Sequence, residues 1–287
     1  RAEKRAQRLA QRTMPKDIEH NAALDKAIAE QLPSNYSFEI KKTLWRIRKE
    51  KATTVALQFP EGLLMYSCII ADILEEFGGV GDVLIMGDVT YGACCVDDYS
   101  AQALGAQLLV HYGHSCLVPI NKTNIPVQYV FVDIAIDVRH LVDCVGLTFP
   151  DRSTRLALMG TIQFASAMNT ALGLLQKEKQ FANVTIPQCK PLSRGEVLGC
   201  TSPVLENVDA FVFVADGRFH LESAMIHNPS TPAYQYNPYS KTMTIETYDT
   251  DRMRSVREGA IQTARDGKCW GVILGTLGRQ GSATILN

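Results

Sequence analysis

The stretch V-A-L-Q-F-P-E-G-L-L, running from Val55 to Leu64, decides the fold, because its pattern recurs twice. L-A-L-M-G-T-I-Q-F-A begins at Leu156 and V-I-L-G-T-L-G-R-Q-G begins at Val272. Each is a short apolar run, a corner carrying glycine or proline, and then a stretch of helical character. That is the signature of a buried parallel strand turning into a helix. The first two copies each lead to a cysteine preceded by a small residue: Cys94 lies 39 positions past Val55, and Cys200 lies 44 past Leu156. The third copy starts 15 positions before the last residue, Asn287, so an equivalent third cysteine is expected beyond it. Repetition of this kind implies stacked copies of one supersecondary unit.

Working outward, the chain reads as alternating strands and helices, hence a parallel sheet with right-handed crossovers. In the first repeat we expect strands at Val55–Phe59, Asp82–Met86, Gln107–His111 and Val127–Asp133, with helices over Gly62–Phe77 and Tyr99–Leu104. In the second we expect strands at Leu156–Met159, Asn183–Ile186, Ala210–Val214 and Thr242–Glu246, with a helix over Gln163–Lys177. Asp251–Arg265 reads as a connecting helix, and Trp270–Thr276 as the strand that opens the third unit. Ahead of the repeats lie a basic helix over Arg1–Arg12, an amphipathic helix over Asp17–Leu32 and a second over Phe38–Lys51. The expected organisation is a triplicated α/β protein of Rossmann-like units with the third truncated. Its parts are a helical extension (1–51), a first repeat (52–152), a second (153–266) and the start of a third (267–287).

Composition narrows the class. Of 287 residues, 46% are hydrophobic and 21% charged, ordinary for a globular protein, and the net charge of −1 gives no global attraction to nucleic acid or membrane. No run approaches the roughly 20 apolar residues a membrane helix needs. Arg1–Arg5 is polar, without the apolar core of a secretory signal. A cytoplasmic protein is expected, whose eight cysteines stay reduced. No C-x-x-C pair is present, so compact zinc modules are excluded and any metal must draw ligands from distant positions. Cys68, Cys116, Cys144 and Cys269 stand in apolar surroundings and are expected in the core.

Ligands of open parallel sheets collect at the carboxyl ends of strands. Cys94, His114, Cys200 and His220 all follow strands, and His111-Tyr112-Gly113-His114 matches Asp216-Gly217-Arg218-Phe219-His220 in place within its repeat. One cysteine per repeat would suit a [4Fe–4S] cluster with three thiolates and an open iron. Cys95 rivals Cys94, although adjacent residues in extended chain point in opposite directions, so the two would not share one cluster. Cys189 rivals Cys200, where only the glycine before Cys200, resembling the Gly-Ala before Cys94, tips the choice. Each histidine could equally be a hydrogen-bonded structural residue, and Arg218 is either a carboxylate clamp or a solvated loop arginine. No Walker loop, dinucleotide fingerprint or nucleophile elbow is present.

Several stretches are specific. Leu57–Leu63, Gly87–Asp98, His111–Cys116, Pro187–Pro191, Gly199–Pro203, Asp216–His220 and Leu274–Gly281 closely resemble the diphthamide biosynthesis family, in particular its catalytic first subunits. The resemblance implies a triplicated α/β fold in which one cysteine per unit holds a [4Fe–4S] cluster. It implies S-adenosyl-L-methionine at the open iron and radical transfer of its 3-amino-3-carboxypropyl group to a histidine of translation elongation factor 2. It further implies a heterodimer with a related second subunit, a small iron protein as electron donor, and no direct contact with nucleic acid. Cys94 and Cys200 match the first two cluster ligands, and the third has no counterpart among these residues. On the same reading Gly113, His114, Arg218 and His220 line the S-adenosylmethionine pocket, with Gln163 and Gln280 as weaker candidates. Two rivals remain: a quinolinate synthase-like iron–sulfur enzyme acting on small metabolites, and a non-catalytic docking subunit of the synthase heterodimer.

Overall fold

The computed structural model describes residues 14–88, 92, 95–115, 117–275 and 284. The expected helix over Arg1–Arg12, Cys94, Cys116 and Gln280 therefore lie outside the described residues. The chain divides into two compact units that meet in sequence between Val132 and Asp133.

In the first unit, helices α1 (Lys16–Glu19), α2 (Ala22–Gln31) and α3 (Ile40–Glu50) precede the sheet. The single helix expected over 17–32 is split, because the Asn21 side chain accepts from the Leu24 amide and starts a new helix there. Strands β1 (Thr54–Gln58), β2 (Asp82–Met86), β3 (Leu108–Tyr112) and β4 (Val127–Val130) form an all-parallel sheet in the order β2-β1-β3-β4. Every residue of β3, and all of β1 after Thr54, is buried, which explains their continuous apolar runs. Helix α4 (Ser67–Gly78) connects β1 to β2 through a 3-10 turn at Glu61–Tyr66, and α5 (Asp98–Ala103) connects β2 to β3. Ile70, Ile73 and Leu74 of α4 join Val55 and Leu57 in one core beneath the sheet.

The second unit repeats this plan. It contains α6 (Val138–Thr148), β5 (Leu156–Gly160), α7 (Ala165–Lys177), β6 (Val184–Thr185), β7 (Ala210–Val214), α8 (Phe219–His227), β8 (Ala233–Asn237), β9 (Thr242–Glu246) and α9 (Thr250–Arg265). Its sheet order is β9-β8-β7-β5-β6. Strands β6, β5, β7 and β8 are parallel and stand in the same relative order as β2, β1, β3 and β4, while β9 is an antiparallel edge strand. Helix α6, which falls within the 52–152 bounds expected for the first repeat, packs on α7. Helices α6 and α8 and strand β8 were not anticipated. The A-Y-Q-Y-N of β8 lies between Pro232 and Pro238 and is too polar to announce itself; pairing with β7 and β9 makes it a strand.

Two expectations are corrected. Residues 270–275 form no strand, and Trp270, Val272 and Ile273 are 67%, 74% and 95% exposed. Cys68 and Cys269 are exposed and Cys144 is only half-buried, so apolar neighbours in sequence did not make them core residues. Among the described residues no helix is long and apolar enough to cross a membrane.

Candidate functional site

In each unit the chain leaves the first strand toward one neighbour and later returns on its other side. The reversal opens a crevice at the carboxyl ends of β1 and β3, and likewise of β5 and β7, where such sheets take ligands. Gly113 and His114 follow β3 directly, beside the first crevice. Gly113 adopts φ 74°, and a Cβ there would lie 2.9 Å from Pro60 Cγ and Leu63 Cδ1, so both conformation and space require glycine. His114 is half-buried; its Nδ1 is 3.1 Å from His111 Nε2, and His111 Nδ1 is 2.7 Å from Gln58 Oε1. Burial, with the neighbouring His114, pushes the His111 pKa down to about 3, so this imidazole is neutral at ordinary pH.

Gly92 and Asp97, which follow β2, lie beside this group. The Asp97 amide donates to Gln58 Oε1 at 3.3 Å, and a Cβ on Gly92 would lie 3.9 Å from His114 Nε2. Cys95 is fully buried there.

In the second unit the segment Gly195–Val197 runs beside the end of β5. Gly160 donates its amide to the Gly195 carbonyl at 2.9 Å and accepts from Val197 at 3.0 Å. The chain then doubles back in a turn closed by mutual bonds between Leu198 and Thr201, with the exposed Cys200 inside it. Thr201 Oγ1 lies 3.5 Å from Cys200 Sγ. Cys189 is half-buried in the preceding loop, where its carbonyl accepts from Leu192.

Gln163 sits in a 3-10 turn, Ile162–Phe164, just past β5, and its buried Oε1 has no hydrogen-bond partner. His220 does not occupy the position of His114. It is the second residue of α8, six past the end of β7, and burial lowers its pKa against the opposing pull of Asp216. Its Nδ1 is likewise buried without a partner. Arg218 is engaged rather than open: Nε donates to Glu222 at 3.0 Å, Nη1 pairs with Glu246, and Nη2 donates to the Thr247 carbonyl at 2.6 Å.

Reading the sequence missed Glu196, Ser202, Gln58 and His111. Glu196 is buried at 2% exposure and burial raises its pKa; Oε2 accepts from the Ser193 amide while Oε1 has no partner. Ser202 Oγ is also buried without a partner. Leaving such an atom unsatisfied costs about 1–3 kcal/mol, so Gln163, Glu196, Ser202 and His220, all in segments that follow β5, β6 or β7, are candidate polar contacts for a ligand. Gln58 and His111 did carry a legible signal, since each is the polar residue at the end of an otherwise apolar strand.

An exposed thiol beside unsatisfied polar atoms fits a thiolate-held iron–sulfur cluster and a polar ligand next to it. Among the described residues no group of three or more His, Cys, Asp or Glu side chains is preassembled for a metal. Any cluster here would draw its thiolates from separate loops.

Comparison with known proteins agrees with this geometry. Residues 59–287 match the family described as "Putative diphthamide synthesis protein". The human 2-(3-amino-3-carboxypropyl)histidine synthase subunit 1 is 58% identical over 276 residues, covering 95% of this chain and 62% of that protein. The Schizosaccharomyces pombe protein of the same name is 53% identical, over 95% of this chain and 63% of that one. The chain thus spans rather less than two thirds of the length of these relatives. The crystal structure of Dph2 from Pyrococcus horikoshii with a 4Fe-4S cluster aligns at TM-score 0.72 and 25% identity, covering 86% of this chain and 72% of that one. The mixed α/β architecture with parallel sheets is that of Dph2. With a family match across most of its length and relatives more than half identical, this chain belongs to the diphthamide synthesis family.

Proposed function

We propose that the protein transfers the 3-amino-3-carboxypropyl group of S-adenosylmethionine to a histidine of translation elongation factor 2 by a radical mechanism. The observation that carries this reading is Cys200, an exposed thiol in a closed turn at the strand-end edge where Gln163 and His220 keep buried, unpartnered polar atoms. Relatives named for the synthase, and a Dph2 structure containing a 4Fe-4S cluster, support it. Cys94 and Cys200 would hold two corners of the cluster, and a third unit that begins near residue 267 would supply the remaining thiolate. When bound, the cluster supplies the electron that breaks the sulfonium carbon–sulfur bond.

This chain's own residues would bind and orient the reactants. Gly113, whose positive φ and packing against Pro60 and Leu63 require glycine, would set the turn that brings the backbone and His114 to the carboxyl end of β3. His114, Gln163 and His220 would offer hydrogen-bonding atoms, and Gln280 is assigned with them from the resemblance. Arg218 would clamp the ligand's carboxylate by exchanging Glu246 for it, since both carboxylates compete for one guanidinium. A histidine of the elongation factor must be held against the activated carbon for transfer to outrun escape. The second synthase subunit as partner, and a small iron protein as electron donor, complete the proposed assembly in the cytoplasm.

Removing the aminocarboxypropyl group from S-adenosylmethionine leaves 5′-methylthioadenosine, which identifies the broken bond. The full-length protein, reduced anaerobically with its partner subunit and elongation factor 2, is expected to release that nucleoside and alkylate the factor. Release of 5′-deoxyadenosine instead would contradict the reading. For Arg218→Ala we expect about tenfold weaker S-adenosylmethionine binding, corresponding to loss of about 1.4 kcal/mol. Unchanged affinity in cluster-loaded protein would remove Arg218 from the pocket.

A further inference from the structure

Helix α8 opens with an aromatic side chain that the core does not use. Leu221, Ala224 and Met225 form its buried face, packed in one cluster with Val197, Phe211 and Phe213. Phe219, the first residue of the helix, stands outside that cluster and is 73% exposed. A lone exposed apolar side chain is ordinary. This one, however, has a seat made for it.

A Cβ on Gly199 would lie 2.3 Å from Cε1, 2.6 Å from Cζ and 3.2 Å from Cδ1 of Phe219, so the ring edge rests where any other residue would carry its side chain. Gly199 lacks the positive φ that Gly113 and Gly195 show, so its backbone conformation would accept another residue. The ring, not the turn, requires glycine there. The residue so emptied is the one before Cys200. The turn around it is closed by backbone bonds of 2.9 and 3.2 Å between Leu198 and Thr201, and the Cys200 side chain is exposed. The ring thus leans on the segment that presents the thiol, and His220, at a centroid distance of 5.3 Å, supports it edge-on from the helix side.

We propose that Phe219 is the apolar wall of the iron–sulfur cluster held by Cys200: its ring excludes water from that thiolate and so lowers the cluster's reduction potential. The assignment rests on the cluster reading above and deepens it. Reduction adds negative charge to a centre already ringed by thiolates, and water stabilises that added charge where a phenyl ring does not. The wall therefore makes the cluster harder to reduce and the reduced form a stronger donor. Breaking a sulfonium carbon–sulfur bond asks for that strength.

Potentiometric titration of the full-length protein with its partner subunit, followed by electron paramagnetic resonance under anaerobic conditions, tests the wall. Phe219→Ala is expected to raise the midpoint potential by about 59 mV, a tenfold change in the reduction equilibrium. Phe219→Leu, which keeps apolar bulk, should stay near the native value. Phe219→Gln, which keeps bulk but brings a polar amide, should rise with Phe219→Ala and decides the matter if that variant fails to fold. A merely structural role would lower cluster content or the denaturation midpoint and leave the potential of the remaining cluster unmoved. An unchanged potential in Phe219→Ala and Phe219→Gln would overturn the proposal. Weaker S-adenosylmethionine binding at unchanged potential would also overturn it, by placing the ring on that ligand instead. A native protein without a cluster, or with one that survives Cys200→Ala, would defeat the functional reading and the wall together, whereas a Cys200-dependent cluster indifferent to Phe219 would defeat the wall alone.

Discussion

A methyl group on Gly199 would lie 2.3 Å from Cε1 and 2.6 Å from Cζ of Phe219. Phe219 opens α8 and its ring stands against His220 at a centroid distance of 5.3 Å, so the clash would pass directly into the Cys200 turn. We expect Gly199→Ala to destabilise by about 1–3 kcal/mol, as overpacked sites do, measured from the denaturation midpoint. An unchanged midpoint would mean that the ring moves aside freely. At this scale the sequence was legible where a residue type breaks a pattern. Gln58 and His111 interrupt apolar strands, and Gly113 and Gly199 precede chemistry-bearing residues. What could not be read was partnership: the occupation of Arg218 by Glu222 and Glu246, and the orphaned Oε1 of Glu196, depend on loops that sequence spacing does not place.

Arg155 and Asp209 tie the entries of β5 and β7 together. The Asp209 carboxylate accepts from the Arg155 backbone amide at 2.8 Å and from Nη2 at 2.5 Å. The guanidinium and amide hold the Asp209 pKa down to about 2, below the roughly 3.9 of an unfolded chain. The contribution is therefore fully present above the unfolded value and is lost as pH falls through about 2. Asp209→Asn should flatten the stability profile in that acid window and leave its shape near neutrality alone, which acid-titrated unfolding curves will show. A profile as steep as the native one would contradict this. The long central strands were evident from apolar runs because burial on both faces demands them. Strand β8 and helices α6 and α8 were not, because tertiary pairing outweighs their mixed local patterns. The hydrogen-bonded break at Asn21 likewise depends on a side chain rather than on periodicity.

For the molecule as a whole, the repeat was the most informative signal, and two of its three copies begin units with one strand order. The third copy lies at a stretch where Trp270, Val272 and Ile273 are largely exposed, and α9 just before it has no buried residue. Apolar side chains so exposed call for cover, which the proposed third unit would provide. With Trp45 replaced by Phe, Trp270 emission should shift to the blue in the longer protein relative to the 287-residue chain. Equal emission from the two would contradict that cover. The most direct test of the central claim is anaerobic iron and sulfide analysis with electron paramagnetic resonance of the reduced full-length protein. Cys94→Ala and Cys200→Ala are expected to abolish the cluster signal while Cys95→Ala and Cys189→Ala keep it; a signal surviving in either of the first two would contradict the assignment.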